Sequence, residues 1–103
     1  MNNNKFFSYL SIAEKAGLIG SGEYQCEKCV KSGKTSLLII ASDASKGTKK
    51  KFTDMCRFYK TNFAEYGNKD ELGRAIGKDM RSTVAVNDEK LAGIISGIIP
   101  GGE

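Results

Sequence analysis

Apolar residues follow two alternating spacings along this 103-residue chain. In five segments they recur every three or four residues, which predicts amphipathic helices ending near residue 17, over residues 22–31, 49–61 and 68–78, and from residue 88 onward. Four shorter segments between these helices predict strands: "LIG", "SLLIIAS", "NFAEYG" and "STVAV". The second of them is a continuous apolar run, which is typical of a strand that is buried on both faces.

The order of these elements decides the fold class. Strands that alternate with helices of about ten residues require crossover connections, and these place helices on both faces of the sheet. We therefore predict an α/β fold, a compact three-layer α/β/α sandwich with a small mixed four-stranded sheet. No repeat or shift in composition divides the chain, so residues 1–103 are expected to form a single domain.

Several predicted helices begin at residues that can cap a first turn. Ser21 is expected to cap the second helix, and Asn87 or Asp88 the last one. Asn68, followed three residues later by Glu71, predicts a capping box for the fourth helix. The lysines at residues 49–51 open the third helix, either as a solvated helix start or as a phosphate contact.

The charge balance favours anionic partners. Sixteen Lys and Arg residues against twelve Asp and Glu residues leave a net charge of +4 and an isoelectric point near 9.0. No apolar run approaches the roughly 18 residues of a membrane span. The first residues also lack the charged and apolar regions of a signal peptide. We therefore expect a cytoplasmic protein with no membrane partner.

Two of the three cysteines, Cys26 and Cys29, stand in a C-x-x-C spacing, and the third is Cys56. A structural zinc site takes four ligands, and the chain has no histidine to supply one. A redox pair is expected at the very start of a helix, with an exposed and reactive thiol. Here the spacing places both thiols on the apolar side of the second helix. Buried core residues are the favoured interpretation, a redox pair and a zinc site are the alternatives, and we expect no metal or cofactor.

The chain offers little that could support catalysis. It lacks histidine, the commonest general base, and no nucleophile stands beside an activating group in the sequence. The segment "GLIGSG" is glycine-rich but has neither the lysine nor the hydroxyl of a phosphate-binding loop. We therefore expect a protein that is not an enzyme.

The segment "GSGEYQCEK" has the character of a nucleic-acid contact. Glycine and serine at a helix start leave backbone amides open to phosphate. Tyr24, Gln25 and Lys28 fall on the first two turns, where glutamine can pair with base edges and lysine can reach guanine or phosphate. An ordinary polar helix face is the alternative that the spacing alone leaves open.

Three stretches resemble a known family: "GLIGSGEYQCEKCVKSGKTSLLIIASDAS", "LGRAIGK" and "STVAV". Together, in this order, they resemble the L7Ae and L30e superfamily of kink-turn RNA-binding ribosomal proteins, most closely its bacterial YlxQ-like branch. The resemblance implies an α/β/α sandwich that binds RNA where tandem sheared G·A pairs adjoin a sharp bend of the backbone. It also implies that the start of the second helix contacts the guanines of those pairs.

The resemblance assigns this role to four residues of the second helix. Gly22 matches the family's glycine, Tyr24 its polar reader, Gln25 its acidic or amide residue and Lys28 its lysine. At the position of Tyr24, archaeal and eukaryotic members usually have asparagine.

A second contact surface is implied in the loop after "LGRAIGK". There Met80 would pack on the flipped-out loop nucleotide, and Arg81 would stack or reach phosphate. Asp43 is expected to orient the neighbouring loop. The implied partner is RNA with a kink-turn, including ribosomal RNA, and the protein is expected to be a ribosome-associated monomer. The alternative is a protein-interaction module of the same fold.

Overall fold

The computed structural model describes residues 4–99. Within that range the helices are α1 (Asn4–Lys15), α2 (Glu23–Lys31), α3 (Lys46–Tyr59), α4 (Lys69–Ala75) and α5 (Glu89–Ile98). The strands are β1 (Ile19–Ser21), β2 (Leu37–Ile40), β3 (Phe63–Glu65) and β4 (Thr83–Val86). The predicted elements therefore all form, in the predicted order.

The four strands form one mixed sheet in the order β1-β4-β2-β3. The β2–β3 pair is parallel, and β4 is antiparallel to both β1 and β2. Every residue of β2 and β4 is buried, as expected for central strands that are covered on both faces.

The helices form two layers around the sheet. In one layer α2 packs against α3, and in the other α1 packs against both α4 and α5. The core between these layers includes Phe6 from α1 and Phe52 from α3, both fully buried. This arrangement confirms the predicted α/β sandwich. Among the described residues, no helix combines the length and the apolar character needed to cross a membrane.

Side-chain caps fix where three of the helices begin. The Asn68–Glu71 capping box forms as predicted, and Asp88 rather than Asn87 caps α5. The third helix begins at Lys46, earlier than predicted, because the Ser45 hydroxyl accepts a hydrogen bond from a backbone amide of its first turn.

The predicted cap of α2 is wrong. Ser21 belongs to β1, and the residue at the N-cap position is Gly22. Its backbone has φ 87° and ψ 157°, a combination open almost only to glycine. A Cβ atom at Gly22 would contact nothing within 4 Å, so the requirement for glycine comes from the backbone and not from crowding.

Candidate nucleic-acid interface

The N-terminus of α2 is open to a ligand. No described side chain caps its first turn, whereas side chains cap α3, α4 and α5. The amide of Gly22 donates to the carbonyl oxygen of Thr83 (3.2 Å), which anchors this helix start to the edge of β4. The free amides of the first turn and the positive end of the helix dipole together favour an anionic or electron-rich group here.

Three polar side chains project from the first two turns of α2 into solvent. Tyr24 is 74% exposed, and Gln25 and Lys28 are also exposed. The ammonium of Lys28 lies 5.2 Å from the centroid of the Tyr24 ring, within cation–π range. The tyrosine and the lysine therefore form one unit, which presents a charge and an aromatic ring together.

Both carboxylates of α2 are bound to groups of the same helical layer. Glu23 accepts a hydrogen bond from the hydroxyl of Thr48 (2.9 Å) at the start of α3. Glu27 lies 2.8 Å from Lys31 and 3.1 Å from Lys51, and the hydrogen bond from Lys31 is the main reason that its pKa is lowered. The carboxylates of α2 are thus engaged with groups of α2 and α3, and no described side chain hydrogen-bonds to the amides of the helix start.

A single side chain joins the loop at residues 79–81 to the start of α2. Arg81 donates from Nε to the hydroxyl of Ser21 (3.2 Å), across 60 positions of sequence, and from Nη1 to the carbonyl oxygen of Met80 (3.0 Å). Met80 is 61% exposed beside it. The structure therefore brings together the two surfaces that the sequence predicted separately.

Backbone contacts hold the same loop from behind. The amide of Arg81 donates to the carbonyl oxygen of Lys69 (3.0 Å) at the start of α4. The amide of Lys69 in turn donates to the carboxylate of Asp43 (2.9 Å). Asp43 therefore orients its surroundings structurally, as expected from the sequence.

Sequence reasoning missed two residues that position this surface. Ser21 accepts the hydrogen bond from Arg81 rather than capping α2, and no sequence signal marks that contact. Gly73 is buried in α4, where a Cβ atom would overlap the backbone of Asp79. A glycine inside a predicted helix, in "LGRAIGK", was the available signal for a close backbone approach.

The cysteines lie behind this surface. Cys26, Cys29 and Cys56 are free and buried, which agrees with the core interpretation. Burial raises the pKa of Cys26 to about 12 and that of Cys56 to about 11, so both thiols stay protonated at neutral pH. Among the described residues, no three His, Cys, Asp or Glu side chains are grouped as a metal site would require.

The three lysines at the start of α3 are all paired with carboxylates. Lys49 lies 3.4 Å from Glu65, Lys50 lies 2.9 Å from Asp54, and Lys51 takes part in the pair with Glu27 described above. These contacts favour the interpretation of a solvated helix start over that of a phosphate contact.

Comparison with known proteins finds a family model and relatives that match most of this chain. The model of the ribosomal protein L7Ae/L30e/S12e/Gadd45 family matches residues 4–96. The chain is 36% identical to RNA-binding protein YlxQ of Bacillus subtilis (strain 168) over 92 residues, covering 89% of this chain and 92% of that protein. It is 30% identical to RNA-binding protein YlxQ of Enterococcus faecium over 77 residues, covering 75% of each.

Two solved structures share the fold. A protein of unknown function from Bacillus halodurans C superimposes with a TM-score of 0.87 at 38% identity, covering 90% of this chain and 94% of that one. The Giardia lamblia 15.5kD RNA binding protein superimposes with a TM-score of 0.74 at 21% identity, covering 90% of this chain and 79% of that one. At this lower identity the similarity concerns the fold alone.

Proposed function

Because the chain belongs to the ribosomal protein L7Ae/L30e/S12e/Gadd45 family, we propose that it binds RNA at a kink-turn, through the start of α2 and the loop at residues 79–81. Two relatives that are 36% and 30% identical carry the name RNA-binding protein, which supports RNA as the ligand. The observation that carries the proposal is the hydrogen bond from Arg81 to Ser21, since it joins the loop to the open helix start. Ribosomal RNA is the proposed target class.

The helix start would supply the specific contacts. Its free amides and its dipole favour the electron-rich edge of a guanine or a phosphate oxygen. Gln25 can donate to and accept from a base edge, and Lys28 can reach guanine O6 and N7. Both side chains are exposed on adjacent turns, so they can enter one groove of the RNA without rearrangement of the backbone.

The loop would hold the bent strand. Met80 offers an exposed apolar side chain that can pack on an unstacked base, and Arg81 adds a cation beside it. RNA in such a complex is recognised by its bent shape and by a few base edges, while contacts to phosphate set the dependence on salt.

Replacement of Lys28 by alanine tests this interface. We expect wild-type protein to prefer an intact kink-turn RNA over one with disrupted G·A pairs, and Lys28→Ala to lower affinity for the intact RNA about tenfold, because one charged base contact is lost. The measurement is a titration of labelled RNA at two salt concentrations.

Lys90→Ala is the matched control for that experiment. Lys90 is an exposed lysine of α5, in the opposite helical layer, so its replacement changes the net charge by the same amount. Equal losses for the two variants, or equal binding of both RNAs by the wild type, would mean that only the overall basic charge attracts RNA and would contradict the proposal.

Variants of Tyr24 distinguish how its ring contributes. With Lys28 over one face of an exposed ring, we expect Tyr24 to act through its aromatic face and not through its hydroxyl. Tyr24→Phe should then bind the kink-turn within about twofold of wild type, while Tyr24→Leu should bind about fivefold to tenfold more weakly because stacking is lost. If Tyr24→Phe binds as weakly as Tyr24→Leu, the hydroxyl is the contacting group instead.

A further inference from the structure

The far end of α3 presents two aromatic side chains to solvent. Phe58 is 77% exposed and Tyr59 is 40% exposed, although both are large and apolar. Their rings meet edge to face with centroids 4.9 Å apart. The start of α3 contacts Glu23 through Thr48, and a helix of 14 residues spans about 21 Å, so this pair is remote from the α2 start.

The surroundings of the aromatic pair are positively charged. Arg57 and Lys60 flank the two rings in sequence, and the segment "RFYK" has no acidic residue. One turn earlier, Asp54 is already paired with Lys50. The neighbouring carboxylate of α2, Glu27, is shared by two lysines, as described above. The carboxylates one turn earlier and on the neighbouring helix are thus already paired with lysines, and Arg57 and Lys60 give this end of α3 a positive character, which fits a polyanionic partner.

The backbone at Lys60 adds an independent observation. It adopts φ 58° and ψ 42°, the left-handed conformation in which a helix usually ends on glycine. Among the described residues, Lys60 is the only one other than glycine with a positive φ. Lys60 is exposed and follows the aromatic pair directly in the chain, and strain of this kind points toward a functional role.

We propose that Phe58, Tyr59 and Lys60 bind unpaired RNA nucleotides by base stacking, as a second RNA contact outside the kink-turn interface. Exposed aromatic rings set among basic side chains are the common means of holding single-stranded nucleic acid without sequence preference. The positive charge favours RNA over an apolar protein surface as the occupant. This contact goes beyond the proposed function, because it requires no kink in the RNA.

The test compares kink-turn RNAs with and without a single-stranded tail. The tail is about ten uridines, placed at either end in separate RNAs, and the same oligonucleotide is also titrated alone. Of the two tailed RNAs, the one that wild-type protein prefers should bind about tenfold more tightly than the blunt RNA. Phe58→Ala should abolish that advantage and leave affinity for blunt RNA unchanged, and Ile12→Ala, at an exposed apolar residue of α1, should change neither.

Further variants separate stacking from other uses of the patch. Phe58→Leu keeps an apolar side chain but lacks an aromatic face, so it should also lose the advantage of the tail. The proposal would be overturned if Phe58→Leu kept the full gain in affinity that the tail gives, or if wild-type protein bound tailed and blunt RNA equally well. Sedimentation of the RNA-free protein as a dimer that Phe58→Ala converts to a monomer would overturn it as well, since the patch would then be a protein interface.

Lys60→Gly should change thermal stability and RNA binding in opposite directions. Glycine relieves the left-handed strain, so the thermal midpoint should rise by a few degrees while the advantage of the tail falls. An unchanged advantage would overturn the assignment of Lys60 to this site. Binding of the free oligonucleotide that depends on Phe58, without any preference for the kink-turn, would refute the proposed function while supporting this second contact.

Discussion

Replacement of Gly73 by alanine is expected to destabilise the protein by about 2–3 kcal/mol, even though alanine favours helix over glycine. Gly73 is buried in α4, and the chain returns over it after the helix ends. A Cβ atom there would overlap the carbonyl group of Asp79 and lie 3.1 Å from the carbonyl oxygen of Lys78. The amide of Lys78 also donates to the carbonyl oxygen of Gly73 (2.8 Å), so the two backbones cannot separate without losing that bond.

Gly93→Ala supplies the matched control. Gly93 is exposed within α5, and a Cβ atom there would meet nothing within 4 Å. That variant should therefore be more stable than wild type by about 0.5–1 kcal/mol, as helix propensity alone predicts. Urea denaturation followed by far-ultraviolet circular dichroism measures both changes. If Gly73→Ala is as stable as Gly93→Ala, the close approach of the loop to α4 is absent in solution.

Gly73→Ala should also weaken RNA binding. The segment that would have to move contains Asp79, which precedes Met80 and Arg81 in the proposed RNA-binding loop. Affinity of Gly73→Ala for kink-turn RNA should therefore fall under conditions in which the variant is still folded, whereas Gly93→Ala should bind as wild type does. The close packing of α4 thus connects stability to the position of the loop.

The fold could be predicted from sequence where local patterns decide it. The five-residue apolar run in "SLLIIAS" identified a buried central strand, and the Asn68–Glu71 spacing identified a capping box. Spacing alone was less reliable at the ends of helices. Tyr59 lies at helical spacing from the buried Phe52 and Cys56, but it is the last residue of α3 and is 40% exposed.

The candidate site could be proposed from the sequence only in its separate parts. The resemblance supplied Gly22, Gln25 and Lys28 from one stretch of sequence, and the loop residues from another. What joins them is a hydrogen bond between side chains 60 positions apart, and no local spacing encodes such a contact. Ser21 shows the difficulty, since a serine before a helix is usually a cap, whereas here it belongs to a strand and accepts from Arg81.

The second large effect is expected at Arg81, which we regard as a positioning residue. Its side chain ties the loop to Ser21 and to the carbonyl oxygen of Met80. Arg81→Ala should lower affinity for kink-turn RNA about tenfold to a hundredfold, because the variant loses both a cation beside the RNA and the bond that holds the loop in position for binding. Stability should change less, because the backbone bond from Arg81 to Lys69 is retained.

Arg81→Lys separates position from charge. Lysine keeps the positive charge but has no planar group that can donate to Ser21 and to a carbonyl oxygen at once. If Arg81 acts by holding the loop, Arg81→Lys should bind nearly as weakly as Arg81→Ala. If the charge at position 81 contacts phosphate, the affinity of Arg81→Lys for RNA should depend on salt as in wild type. The affinity of Arg81→Ala should then depend on salt less steeply. Full recovery of affinity with lysine would show instead that Arg81 contributes only its charge, and the backbone bond from Arg81 to Lys69 would then be enough to hold the loop in place.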